Sequence, residues 1–367
     1  MNEIIVIGGN HHNTLGVIRS LGRKGLRTIL VLVTSETKPF VSYSKYIKRT
    51  IQISGNEQIT DVLLNQCRDV KSKPVVICCS DGSIGVVDEN RDILKQYFHL
   101  PGAEEQGRIA SLMSKKVMAE LASSVGLKIP QSIYITNQSG ELFQVEYPCI
   151  IKPLESRKGS KSDISVCHTI DDLKAYSINH DLQNYQIQEY IEKDFEYQLI
   201  GCSTKHDIII PGVSKILRPC KGSNTSFLHY MALPDDFCNI EKCKEFVHST
   251  GYYGLFSLEF LRDKDGKDYF MEINFRNDGN AISVTAAGLN LPYIWYLSCI
   301  GKDYQAEKNN TITSKYVMPD LAELKLLVTG KINIAQYLGD LIKADCFMEF
   351  DRNDILPFWK MITSKIY

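Results

Sequence analysis

The sequence predicts an α/β unit followed by two α+β units and a helical extension, and three observations carry that expectation. Residues 1 to about 110 alternate short apolar runs with amphipathic segments, the pattern of a parallel sheet joined by crossover helices. From about 111 the texture changes to mixed strands and helices. A polar stripe then interrupts an apolar hairpin: Glu272, Asn274 and Arg276 take every second position of the run 269–276, and Glu259 lies in the preceding apolar run 254–261.

In the first unit, strands are expected over 3–7, 28–33, 48–53 and 74–79. Gly8-Gly9-Asn10 separates the first strand from a helix over 14–24. It lacks the third glycine of a dinucleotide fingerprint and the acid that should follow the second strand, so it reads as a tight strand-to-helix turn rather than an NAD site. Asn10, His11, His12 and Asn13, and likewise Ser80-Asp81-Gly82, stand where ligands of open α/β sheets bind. Capping of the following helices by Asn and Asp is the plainer expectation for both.

The second unit opens with Ser114 as the cap of a helix that carries Lys115 and stops at Gly126, and it continues through strands within 147–153 and 186–191. The third holds the polar hairpin and a helix beginning at Ala281, after Gly279. Past Lys302 come a charged connector and amphipathic helices, with Asp351-Arg352-Asn353-Asp354 before an aromatic-rich end.

The hairpin is the most informative element. Gly251 and Gly254 precede its first strand, and residues 263–267 supply a turn, so Glu259 should lie beside Glu272. Successive side chains of a strand point to opposite faces, which puts Glu272, Asn274 and Arg276 on one side. One such residue is ordinary on a solvated sheet face. Two carboxylates at one place repel unless a cation holds them, and two Glu with one Asn suit Mg²⁺, a hard ion usually shared with substrate phosphates. The stripe therefore predicts a nucleotide.

Glu-Ile-Asn-Phe-Arg over 272–276, paired with an earlier Glu, resembles the metal-binding end of the ATP-grasp superfamily, of the carboxylate-amine ligase type seen in amino-acid ligases and the large subunit of carbamoyl-phosphate synthase. The resemblance implies an N-terminal Rossmann-like pre-ATP-grasp domain (1–110) and two ATP-grasp subdomains, one with a lid loop (111–200) and one with the metal site (201–300). A helical extension (301–367) completes the expected division. It further implies ATP as cofactor with Mg²⁺, or Mn²⁺ in its place, on Glu259, Glu272 and Asn274. Lys115, with Lys116 as its rival, and Lys152 match the two phosphate-contacting lysines. In 188–196, Glu189 and the Tyr190 carbonyl match the acceptors for the adenine amine, the Ile191 N–H the donor to N1, and Glu196 the ribose contact. Gly159 and Ser160 fall in the loop 154–163, which matches the phosphate lid but has one glycine where many relatives have several.

Catalytic roles fall by the same resemblance to Arg276, Lys152 and Arg218, the last of these in the basic stretch 213–221. Phe275 replaces the proline many relatives have between Asn and Arg. The implied reaction joins a small-molecule carboxylate to an amine through an acyl phosphate, with release of ADP and phosphate. A carboxyphosphate former, a kinase or a non-catalytic nucleotide-binding protein would use the same ATP parts. No Ser/His/Asp or Cys/His set competes with this reading.

Composition narrows the partners. With 42 basic and 43 acidic residues the formal charge is −1, which argues against a nucleic-acid surface or a polybasic membrane contact. The 11 cysteines are odd in number and never spaced Cys-x-x-Cys, so buried free thiols and a reducing cytoplasm are expected. No apolar run reaches membrane-spanning length, and a homodimer is compatible with all of this.

Overall fold

The computed structural model describes residues 2–69, 72–135, 145–153, 164–179, 185–219 and 226–364. Its first four strands, β1 (Ile4–Gly8), β2 (Thr28–Val33), β3 (Ile47–Ile53) and β4 (Val75–Cys78), form a parallel sheet in the order β3-β2-β1-β4. Each lies within one residue of its expected bounds. β1 and β2 are apolar on both faces and buried almost throughout, as central strands covered on two sides must be. β3 sits at the edge and keeps Lys48, Arg49 and Thr50 exposed, which blunts pairing with another chain.

The helix after β1 runs His12–Gly22 and is capped by the His11 side chain, which accepts from the Asn13 N–H. The helix Asp81–Glu89 after β4 is capped by Ser80 in a reciprocal pair with Ser83. Capping by Asn and Asp was expected in these two stretches, and His11 and Ser80 take the caps instead. Gly8 is required by packing: a Cβ there would lie 2.3 Å from Thr14 Oγ1 and 2.9 Å from Cys79 Cβ. That agrees with a tight strand-to-helix turn.

A second, antiparallel sheet contains β5 (Ser132–Ile135), β6 (Cys149–Pro153), β7 (Ser165–Cys167) and β8 (Tyr185–Glu189) in the order β5-β8-β6-β7. Its small separate core is built on Ile135, Cys149, Ile151, Cys167, Leu173 and Ile187. The loop 154–163, with Gly159 and Ser160, lies outside the described residues.

The third sheet is the largest. It comprises β9 (Lys193–Ser203), β10 (Ile208–Ile209), β11 (Val213–Pro219), β12 (Ser226–Met231), β13 (Gly254–Asp263), β14 (Asp268–Asn274), β15 (Lys315–Met318) and β16 (Cys346–Phe347). The order is β14-β13-β9-β11-β12-β15-β16, with β10 on β9, so the segment past 301 contributes strands as well as helices. Pairing registers define the two faces. Glu272, Glu259, Gln198, Ser214 and Tyr230 form one row across β14, β13, β9, β11 and β12. Tyr197, Lys215, His229 and Tyr316 form a row on the opposite face.

That opposite face is closed at the hairpin end by the helix Ile240–Thr250. Asn239 caps it by accepting from the N–H groups of Glu241 and Lys242, and Gly251 ends it at φ 71°. Phe246 meets Phe270 edge-on with ring centroids 4.8 Å apart, and Tyr197 stacks on Phe260 at 5.1 Å. Truncating Phe246 to Ala would cost about 3–5 kcal/mol by the usual cavity cost for a buried ring.

Polar contacts lock the parallel sheet to the large one. The Asn277 N–H donates to the Cys78 carbonyl at 3.0 Å, and Asn13 Nδ2 donates to the carbonyls of Cys79 and Asn277, both at 2.9 Å. Near the C-terminal end, Arg19 forms a buried pair with Asp354 at 3.1 Å. The ten described cysteines are free thiols. Among the described residues no helix is long and apolar enough to cross a membrane.

Candidate active site

β13 and β14 form the expected antiparallel hairpin, with Glu259 directly opposite Glu272. Its turn is held by Asp263, whose carboxylate accepts from the N–H groups of Asp265 and Lys267, and by Gly266 at φ 78°. The register shifts between Glu259 and Phe260, where Met271 is the extra residue. That bulge keeps Glu272 level with Glu259 while Phe270 stays in the core.

Glu259 accepts from Asn274 Nδ2 at 2.9 Å and from Gln198 Nε2 at 3.2 Å. Burial first, and then the negative charge of Glu272 and Asp278, raises its carboxyl to about 8. A proton is thus retained where a cation would otherwise balance the charge, and the pair suits a hard divalent ion on that ground. Asn274 turns Nδ2 towards Glu259, and its Oδ1 accepts from Arg276 at 3.0 Å. To offer oxygen to a metal shared with Glu259, its amide must turn over. Among the described residues no group of three or more His, Cys, Asp or Glu is arranged to hold a metal, and the expected set has only two carboxylates beside the amide.

Arg276 is the hub of the site. Its Nε lies 3.3 Å from Asp81, Nη1 donates to Asp278 at 3.1 Å, and Nη2 donates to Asn274. These acids hold the guanidinium firmly charged against the cost of burial. Asp81 comes from the helix after β4 and Asp278 from the loop after β14, so one side chain joins the parallel sheet to the hairpin. Tyr252 steadies the backbone here by donating to the Phe275 carbonyl at 2.9 Å. The helix that follows is Ile282–Ala286 and starts one residue later than expected.

Two lysines approach from the other side. Lys115, in the first turn of the helix Lys115–Ser124, donates to the Pro153 carbonyl at 2.9 Å, and Lys152 is the penultimate residue of β6. Burial, with the charge of Lys115 added, lowers Lys152 to about 8, while Glu272 pulls it back up. Burial likewise lowers Lys115, again opposed by Glu272. Lys116, the rival, lies over the Tyr134 ring at 5.7 Å. The expected Ser114 cap makes no side-chain hydrogen bond to its helix. A cleft of about 410 Å³ opens here, lined by Asp81, Ser111, Ser114, Glu272 and Asn274 among others.

The 188–196 stretch is more open. Glu189 and Tyr190 are exposed, and Ile191 is half-buried. The Glu189 N–H donates to the Gln131 carbonyl at 2.8 Å, and one Glu189 carboxylate oxygen accepts from the Gln131 N–H at 3.1 Å. The Tyr190 N–H donates to Pro148. Glu196 is on the same face of the large sheet as Gln198 and Glu259, accepts from Lys193 at 2.5 Å, and borders a hollow of about 250 Å³ with Lys215.

Arg218 is not brought to this site. A bulge between Ile216 and Arg218 sets Arg218 opposite Phe227, on the face with Lys215 and His229 and away from Glu259. There it donates to Glu323 at 2.6 Å and to Asp340 at 2.7 Å.

Gln198 and Asp278 belong to the site and were not assigned a site role from the sequence, whereas His11 and Asp81, which also belong to it, stood at the expected ligand-binding edge of the parallel sheet with capping as the plainer expectation. Asp278 continues the every-second-residue stripe, and Gln198 lies two residues past Glu196, so both carried a signal. Burial, and then the charge of Arg276, lowers His11 below the ordinary imidazole range, opposed by Asp278. His12 is buried, with Nδ1 3.6 Å from Glu349.

No protein-family model matches the chain, and no curated protein matches it in sequence. Solved structures do match in shape. The L-amino acid ligase of Bacillus licheniformis superposes with a TM-score of 0.67 at 15% identity, over 87% of this chain and 80% of that one. The biotin carboxylase of Campylobacter jejuni, solved with a β,γ-ATP compound, gives 0.67 at 15%, over 86% and 75%. The N5-carboxyaminoimidazole ribonucleotide synthetase of Thermotoga maritima gives 0.61 at 13%, over 83% and 77%. At such identities the likeness is one of fold. The chain has the ATP-grasp fold, with a Rossmann-like parallel sheet ahead of it.

Proposed function

We propose that this protein is an ATP-dependent carboxylate-amine ligase that forms an amide or peptide bond through an acyl phosphate and releases ADP and phosphate. The observation that carries the reading is the pairing of Glu259 with Glu272, beside Asn274 and within reach of the charge of Lys115 and Lys152. Acids suited to a cation and lysines suited to phosphate oxygens thus lie within electrostatic reach of one another. The fold neighbours include an L-amino acid ligase and a carboxylase domain solved with MgADP and bicarbonate, which supports the same chemistry here.

In this reading Glu259, Glu272 and a turned-over Asn274 hold Mg²⁺. When bound, the ion neutralises phosphate charge and polarises the transferred phosphoryl group. Lys115 and Lys152 bind phosphate oxygens. Glu189, Tyr190 and Ile191 face the adenine edge and Glu196 the ribose, with Gly159 and Ser160 assigned to the phosphate lid. Arg276, oriented by Asp81 and Asp278, stabilises the oxyanion as a substrate carboxylate attacks and again as the amine adds. Arg218, tied to Glu323 and Asp340 on the other face, has a structural role in place of the catalytic one expected of it.

The test is a screen of ADP release over pairs of carboxylates and amines, followed by ¹⁸O-labelling of the active carboxylate. One label in the released phosphate per bond formed supports the acyl phosphate. Label kept wholly in the product, or found in AMP, assigns a different activation route.

A further inference from the structure

The helix Ile240–Thr250 begins between two thiols. Its cap is Asn239, so Cys238 stands just before the cap and Cys243 is the fourth residue of the helix, the two places where apolar side chains usually staple a helix to its leading chain. Here both are cysteines, and the Cys243 thiol donates to Cys238 Sγ at 3.7 Å. Both are held in place. Phe237, the residue before Cys238, packs on Tyr197 and Phe195 with ring centroids 5.0 and 5.8 Å away, and the Arg262 guanidinium lies 4.7 Å above its ring. On the other side the Cys243 N–H donates to the Asn239 carbonyl at 3.1 Å.

The two thiols differ in a way that assigns them roles. Cys238 is half-buried and open to a small reagent, whereas Cys243 is fully buried. The hydrogen bond from Cys243 holds the Cys238 thiol below its ordinary range, and the nearby Tyr197 hydroxyl and the charge of Arg262 act the same way, against burial and Asp268. The positive end of the helix favours a thiolate at the same place. Every other described cysteine is raised instead. Cys149 and Cys167, which face each other across β6 and β7, are also neighbours, but both are buried and both raised.

We propose that Cys238 and Cys243 form a modification site, a dithiol that hydrogen peroxide closes to an intramolecular disulfide. Cys238, as thiolate, attacks one peroxide oxygen; the O–O bond breaks, leaving a sulfenic acid on Cys238 and a hydroxide that takes up the proton Cys238 gave to solvent. The Cys243 sulfur then attacks the Cys238 sulfur. The S–O bond breaks, and the departing hydroxide leaves with the Cys243 proton as water. Two electrons pass from sulfur to oxygen, and two thiols with one peroxide become one disulfide and two waters. The sulfur atoms have to close from 3.7 Å to about 2.0 Å, a shift within reach of a side-chain rotation.

The full chain, reduced and folded, is to be treated with hydrogen peroxide, its remaining thiols alkylated at intervals, and its peptides read by mass spectrometry. The first product should be a Cys238–Cys243 disulfide, lighter by two hydrogens and reopened by dithiothreitol. Cys243→Ser removes the second thiol and should leave a sulfenic acid at Cys238 that dimedone traps. Cys238→Ser should slow the oxidation of Cys243 by about tenfold or more, since the buried thiol loses its reactive neighbour. Both variants are compared at melting temperatures that show them folded. A first disulfide elsewhere, at Cys149 and Cys167 above all, overturns the proposal. So does a wild type in which Cys238 and Cys243 stay reduced after other thiols have reacted, a Cys243→Ser variant with no dimedone adduct at Cys238, or a Cys238→Ser variant whose Cys243 oxidises at the wild-type rate.

Discussion

Arg276 and Arg218 each hold two carboxylates, yet they teach opposite lessons about polar residues in a sheet. Arg276 is 14% exposed at a cleft, and its partners Asp81, Asp278 and Asn274 come from the helix after β4, the loop after β14 and β14 itself. Arg218 meets Glu323, which is fully buried, and Asp340, both from the C-terminal helices that close the far face. The first arrangement gathers acids beside an opening, where charge is useful to a ligand. The second uses the same chemistry to fasten helices. In sequence both are arginines at or near the end of an apolar strand, and only the face on which each lands separates them.

The sharpest break of that comparison lies on the cleft side. Glu272→Gln and Glu259→Gln should each cut turnover by about two or more orders of magnitude with the fold intact, since each removes an ionic ligand at nearly constant volume. Steady-state ADP release checks this, and turnover within a few fold of wild type would remove the metal assignment. Arg276→Lys comes next. It keeps the charge and loses the planar fork that meets Asp81, Asp278 and Asn274 together, so the rate should fall about tenfold or more with a smaller change in the apparent ATP constant. Lys152→Ala should weaken ATP binding as well as rate, which calorimetry separates.

On the far face the expected signature is reversed. Arg218→Met leaves Glu323 buried without its partner and should cost roughly 3 kcal/mol of stability, in the range for breaking a buried pair. Activity per folded molecule should stay within about threefold of wild type. Urea unfolding alongside specific activity tests both halves. A large loss of rate at unchanged stability would return Arg218 to the chemistry.

What the sequence made legible follows from the same contrast. The hairpin was readable because strand alternation is a strict period of two, and a polar stripe in apolar strands survives even the bulge at Met271. The parallel sheet was readable from its doubly apolar strands. Arg218 misled because a one-residue bulge reverses the face and leaves no mark in composition. Asp81 was read as a helix cap because Asn and Asp favour that position, but Ser80 takes it, and Asp81 turns to Arg276, 195 residues further along the chain, a separation no local pattern encodes. The helix Ile334–Lys343 was legible as amphipathic, but which side meets the body is decided by Arg218 and Tyr316, themselves distant in sequence.

The smallest expected effect tests the electrostatics of the cleft directly. Glu259 is raised to about 8 in the folded protein, above its ordinary range, so between about pH 4.5 and 8 the folded state binds more protons than the unfolded one. Stability of the metal-free protein should therefore decline as pH rises through that window. Lys152 is lowered to about 8, so between about pH 8 and 10.5 the unfolded state binds the extra proton, and this residue's contribution rises with pH. The two groups act on opposite sides of pH 8 and with opposite slopes, so melting temperatures across the range resolve them. Glu259→Gln should flatten the lower limb and leave the upper one. Added Mg²⁺ should raise the melting temperature more at pH 8 than at pH 5, because at the lower pH it must displace a proton from Glu259. An equal gain at both pH values would mean that the cation binds without that carboxylate.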